Sequence, residues 1–308
     1  MKRAARLWWI PAATVLLLLV PASAIAQAPT PAVSGSSSWG PGVVFTMSNA
    51  FAGNFVIAYD IGAGGALVPA GEFSTGGTGT GSSLADQGSL VLSLDHHYLF
   101  VVNAGDNTIS VFAIHPPTSH GPVLNLLGWV GSRGIEPVSL AVHDPFLYVL
   151  NAGNASTPGN IAGFVLGPHG RRAPLPGSTR PLSGSSPTGP AEIAFNPAGT
   201  VLVVTEKATS LIDTYSIDAS GAARAPLVSA SNGSTPYGFA FGPGGSLIVS
   251  DAGPGALSSY TIARNGVLTV VSGSVGDGQL APCWVAVADR YAYTSNAHSG
   301  TISAYRIG

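Results

Sequence analysis

Three features of the sequence predict an all-β fold. Apolar residues arrive in short runs cut by many of the 41 glycines and 24 prolines, as suits brief buried strands joined by tight turns. No segment sustains the 3.6-residue periodicity of an amphipathic helix. A single unit also recurs along most of the chain: an entry strand, a second strand ending in a polar residue, and a third strand ending in an aromatic. A repeat of roughly 40 to 50 residues with about four strands predicts a β-propeller, each unit being one antiparallel blade.

The chain opens with Lys2, Arg3 and Arg6, runs through the apolar LWWIPAATVLLLLV and reaches small residues at PASAIAQA. That is the layout of a secretory signal peptide, so residues 1–28 are expected to be removed and the mature chain to be secreted or periplasmic. Residues 29–41 read as a flexible linker and residues 42–308 as one propeller domain. Without Lys2, Arg3 and Arg6, a chain of 12 basic and 14 acidic residues carries a formal charge of −5. A nucleic-acid partner is not expected of such a chain. No later stretch approaches the length of apolar residues that spans a bilayer, so no membrane association is expected after cleavage. The single cysteine, Cys283, excludes an internal disulfide and reads as a small core residue at the start of an apolar strand.

The entry strands read GSLVLSLD, VSLAVHDP, AEIAFNP, YGFAFGP and WVAVADR. The second and third strands read YLFVVNAGDNTISVF, LYVLNAGNASTPGNIAGF, VLVVTEKATSLIDTY, LIVSDAGPGALSSY and YAYTSNAHSGTISAY. Their polar residues are Asn103, Asn151, Glu206, Asp251 and Asn296, and VVFTMSNAFAGNFVIAY adds Asn49 in a unit with no entry strand. The chain thus holds the last three strands of one blade, four whole blades and the first three strands of another. Two readings follow: the termini complete each other in a tight six-bladed ring, or about one and a half blades are missing from a larger one. The second is favoured.

The motifs VVNAGDNTISVF, PVSLAVHDPFLYVLNAG, LVVTEK, STPYGFAF and APCWVAV with YAYTSNAHSGTISAY resemble exported members of the β-propeller lactonase family, which includes bacterial 6-phosphogluconolactonase and fungal carboxymuconate cyclase. The resemblance covers most of the chain from about residue 42. It implies a seven-bladed ring, of which about five and a half blades would be present, and action on a small lactone or sugar acid as a hydrolase or cycloisomerase. The entry tripeptides PVS, PAE, PYG and PCW lack the histidine that often follows this proline in the catalytic branch. A non-catalytic propeller binding a ligand or a protein partner, and an inactive truncated remnant, are the alternatives.

In an antiparallel blade, the turn after the second strand and the link to the next blade lie on one rim. Asn49, Asn103, Asn151, Glu206, Asp251 and Asn296 are therefore expected there, with Arg133, Glu136, Glu192, Trp284 and His298; the other six histidines fall on the opposite rim. One mechanism uses Glu206 or Asp251 as general base on water, with Arg133 or His298 facing the developing oxyanion. Asn103, Asn151, Asn296, Glu136, Glu192 and Trp284 are the expected ligand contacts. A second mechanism places calcium or magnesium on the oxygens of Glu206, Asp251 and Asn296. The competing reading is structural, because Asn or Asp before Ala-Gly is what a tight turn favours.

Overall fold

The computed structural model describes residues 42–118, 121–183 and 187–308, with no side-chain description at residues 117–122. The expected signal peptide and linker lie outside the described residues. Among those described, no helix is long and apolar enough to cross a membrane.

The strands of the described residues form six antiparallel sheets, each from one stretch of chain. Blade 1 is β1 (Val43–Met47), β2 (Phe55–Ile61) and β3 (Leu67–Ser74). Blade 2 is β4 (Leu90–Leu92), β5 (Tyr98–Asn103), β6 (Thr108–Thr118) and β7 (Gly121–Gly131). Blade 3 holds β8 (Pro137–His143), β9 (Phe146–Gly153) and β10 (Pro158–Gly167), with a fourth strand broken into β11 (Arg171–Pro174) and β12 (Arg180–Pro181), both paired to β10. Blade 4 comprises β13 (Pro190–Phe195), β14 (Val201–Glu206), β15 (Leu211–Ser216) and β16 (Leu227–Ala230). In blade 5 the strands are β17 (Pro236–Phe241), β18 (Leu247–Asp251), β19 (Ala256–Ile262) and β20 (Leu268–Gly276). Blade 6 ends the chain with β21 (Pro282–Ala288), β22 (Tyr291–Asn296) and β23 (Thr301–Arg306).

The second strands of blades 2 to 5 are buried on both faces, because each blade packs between two others; this is why VLVVTE of β14 reads as a nearly continuous apolar run. The outer strands β16 and β20 are largely exposed. Five apolar clusters join consecutive blades, from Val56 with Leu99 and Phe112 between blades 1 and 2 to Ile248 with Val285 and Ala292 between blades 5 and 6. Tyr148 adds a polar tie from blade 3 to the loop beyond β15, donating to Gly221 O at 2.7 Å and accepting from Ala223 N at 2.9 Å.

The blade count corrects the expectation of a seven-bladed ring with five and a half blades present: among the described residues there are six blades, the first and last of three strands each. Their connection across the ring is made from the centre. The linker from blade 1 to blade 2 bonds, through Gln87 and its neighbours, to the inner strands of blades 3, 4, 5 and 6. Local strand patterns carry no signal for such a linker, and counting them against a larger ring leaves it out.

Candidate functional site

The repeat places its polar column as expected in sequence: Asn103, Glu206, Asp251 and Asn296 each end the second strand of a blade, and Asn151 sits three-quarters along β9. Their side chains point into the sheets. Asn103 and Asn296 donate to a threonine five residues on and a serine seven residues on, Thr108 and Ser110 in one case and Thr301 and Ser303 in the other. Asn151 donates to Ser132 O at 3.2 Å and Asn160 Oδ1 at 2.9 Å. Asp251 accepts from Ser258 Oγ, seven residues on, and from Ser231 Oγ at 3.3 Å. Glu206 accepts from Ser183 N at 3.1 Å and Thr209 Oγ1 at 2.6 Å. All five are buried, and burial pushes the Asp251 carboxyl up to about 6.

A glycine of the preceding linker lies over several of these side chains. A Cβ at Gly134 would stand 2.5 Å from Asn151 Cγ, and one at Gly77 or Gly233 would overlap Asn103 or Asp251. At Asn103, Asn151 and Asp251 the column therefore packs the hairpin against the linker entering its blade. Glu206, Asp251 and Asn296, the expected metal donors, belong to blades 4, 5 and 6 and bond to separate hydrogen-bond partners. Among the described residues, no three His, Cys, Asp or Glu side chains gather in a metal-binding group.

Arg133 and His298 are exposed, the first in a linker with φ 66° and the second in the hairpin after β22. Glu136 has φ 56°, and the corresponding residues ahead of Pro236 and Pro282, Thr235 and Ala281, have φ 56° and 54°. Its left-handed backbone is thus part of the repeat. Burial raises its carboxyl.

Glu192 and Trp284 stand at equivalent places, third in the entry tripeptides PAE and PCW, where Ser139 and Gly238 occupy the same position in PVS and PYG. These residues surround Gln87. Ser139 Oγ donates to Gln87 O at 2.6 Å, and a Cβ at Gly238 would overlap Gln87 Oε1. Glu192 is buried and accepts from Phe239 N at 2.5 Å; burial drives its carboxyl well above the usual range, and the nearby Asp86 charge adds to this.

Around this plug sits a cluster that the motif reading passed over. Burial pushes the Asp86 carboxyl up to about 7, against the lowering effects of the Lys207 charge and a hydrogen bond from Ser89. Its Oδ2 is buried without a hydrogen-bond partner. Burial brings the Lys207 ammonium down to about 8, opposed by the Asp86 charge. Lys207 donates to Ala85 O at 2.6 Å and Pro190 O at 2.9 Å, and its Nζ lies 4.8 Å from the centre of the Tyr237 ring. Trp284 Nε1 donates to Asp86 O at 2.7 Å, and its ring meets the edge of Tyr237 with centroids 6.2 Å apart. The available signal was composition: Lys207 is the sole lysine after Lys2, and it directly follows Glu206.

Asp86 and Trp284 border a cleft of about 810 Å³ between the first and last blades. Its walls include Thr46, Asn49 and Phe51 of blade 1 and Ser82, Ser83 and Ser89 of the linker. Its volume is that of a small-molecule site, and perturbed titratable groups beside such a cleft mark a place where proton transfer is feasible near neutral pH.

No protein-family model matches the sequence, and no curated protein is significantly similar to it. Solved structures are similar in fold. A protein from Lactobacillus plantarum superposes with a TM-score of 0.63 at 15% identity, over 86% of this chain and 81% of that one. The periplasmic gluconolactonase of Pseudomonas aeruginosa gives 0.55 at 20% identity, over 76% and 67%. Virginiamycin B lyase of Staphylococcus aureus, in a complex with quinupristin, gives 0.56 at 14%, over 88% and 79%. At these identities the likeness is one of propeller fold, shared by a lactonase and a lyase alike.

Proposed function

We propose that this chain is an exported, lactonase-like propeller that opens a small lactone in the cleft between its first and last blades, with Asp86 as general base. The observation that carries the reading is the Asp86 carboxyl: it borders the cleft, has an unpartnered buried oxygen, and titrates near neutrality. Ionised, it takes a proton from a water whose oxygen bonds to the lactone carbonyl carbon. The acyl carbon–ring oxygen bond then breaks, and the departing alkoxide takes the proton back from Asp86, leaving a hydroxy acid. Lys207 supplies a positive charge that favours the ionised form of Asp86 against the larger effect of burial. Trp284 and Phe51 provide apolar faces, and the serine-rich linker offers hydroxyl partners.

The base role expected of Glu206 or Asp251 passes to Asp86 in this reading, because both of those carboxylates are enclosed by their own hairpins. The test is hydrolysis of D-glucono-1,5-lactone by Asp86→Asn, with the spontaneous rate subtracted. Turnover should fall at least ~100-fold while the melting temperature is kept. Wild-type turnover in the variant, or none in the native chain, would overturn the proposal. A propeller that binds without turnover is the second reading, favoured by the exposed Phe51 and Trp284 at the cleft.

A further inference from the structure

Sugar lactones reach a cell either uncharged or carrying a phosphate, and the cleft distinguishes the two. Among the described residues that line it, Asp86 is the sole charged side chain; there is no lysine, arginine or histidine. The nearest cation, Lys207, is outside the lining, with its ammonium bonded to Ala85 O and Pro190 O and seated over Tyr237. Arg133 and His298, the oxyanion partners expected from the sequence, are also outside the lining. A phosphate placed here would lose hydration without gaining a charge-assisted partner, and would face a carboxylate.

What the cleft does offer suits a polyhydroxylated ring. Phe51 is 76% exposed and Trp284 45% exposed. The indole is held by its bond to Asp86 O and by Tyr237, so this aromatic face is ordered before any ligand arrives. The C–H face of a pyranose is weakly positive and packs on the negative face of an aromatic ring. The exposed Thr46, Ser82 and Ser83 can exchange hydrogen bonds with ring hydroxyls.

We infer that the site takes uncharged polyhydroxy lactones, stacked on Trp284, and discriminates against phosphorylated ones. This rests on the proposed function for the cleft's location and adds the substrate class. It also gives the reaction a direction of release: opening a neutral lactone creates a carboxylate beside Asp86, so the product is repelled from the site that accepted the substrate.

The experiment uses calorimetric titration of the full chain with D-glucono-1,5-lactam, an uncharged ring that cannot be hydrolysed, and with its 6-phosphate. The lactam should bind at least ~10-fold tighter than the phosphate. Trp284→Ala should weaken lactam binding by about the same factor, with Trp284→Phe restoring most of it. Ser83→Arg, which adds a cation at an exposed lining position, should narrow the gap between the two ligands. Equal or tighter binding of the phosphorylated lactam, or no binding of either, overturns the inference. Preferential lactam binding without lactone turnover would leave the substrate class standing and remove the proposed catalysis.

Discussion

Gln87 and Val285 exchange hydrogen bonds across the centre of the propeller: Gln87 Oε1 accepts from Val285 N at 3.0 Å, and Gln87 Nε2 donates to Val285 O at 3.1 Å. A side chain from the linker after the first blade thus pairs with the inner strand of the last blade as a strand neighbour would. The same Nε2 also donates to Phe239 O at 3.2 Å, so one amide spans two blades. Gln87→Ala strands these buried backbone groups at a cost of about 2–4 kcal/mol. Calorimetry should show a melting temperature lower by about 5–10 °C, and Gln87→Glu should recover little of it because a carboxylate cannot donate to the carbonyls.

The pH dependence of lactone opening should be a narrow bell. Asp86 must be ionised, so activity rises through about pH 7; Lys207 must keep its proton, so activity falls beyond about pH 8. The two groups interact, and the measured values will belong to the pair. Stability should move differently. The raised Asp86 value means that the folded chain holds a proton which the unfolded chain releases near pH 4, so this group's contribution to stability declines as pH climbs from about 4 to 7. In Asp86→Asn that decline should shrink in chemical denaturation measured across the range.

Glu206→Ala and Asp251→Ala should act on the fold. Removing Glu206 leaves the Thr209 hydroxyl without that acceptor while Ser183 keeps its bonds to Asp213, and removing Asp251 takes the acceptor from the hydroxyls of Ser231 and Ser258. Each substitution should cost about 2–4 kcal/mol, read as a lower denaturation midpoint. The kcat of the fraction that remains folded should stay within about threefold of the native value. A loss like that of Asp86→Asn would return these residues to the chemistry.

Gly134→Ala forces a methyl group against the Asn151 side chain, which is locked by Ser132 O and Asn160. Overpacking of this kind costs about 1–3 kcal/mol. Combining it with Asn151→Ala, which clears the space, should give a double variant more stable than the sum of the two single losses predicts. A purely additive result would mean that the linker shifts independently of the hairpin.

Much of the blade was legible before any tertiary information. The ends of β5, β14, β18 and β22 at Asn103, Glu206, Asp251 and Asn296, and the three-stranded first and last sheets, follow from spacing alone. The direction of those polar side chains was not legible. A buried Asn bonded five and seven residues ahead and an exposed Asn awaiting a ligand have the same local sequence, and tertiary packing, such as that of Gly77 over Asn103, separates them. Glu192 and Trp284 were found through the entry tripeptides, whereas Asp86 lies in a loop with no strand pattern.

By itself, the sequence determined the repeat unit and the strands within it, because these depend on hydrophobic alternation and turn chemistry acting over a few residues. The tertiary structure alone decided that six blades form among the described residues, that Gln87 bonds to the inner strands of four of them, and that Asp86, Glu192, Lys207 and Trp284 from two blades and a linker meet beside it. Those outcomes rest on contacts between residues more than a hundred positions apart, and on the loss of water around charges once they meet. Neither is written in any local stretch of chain.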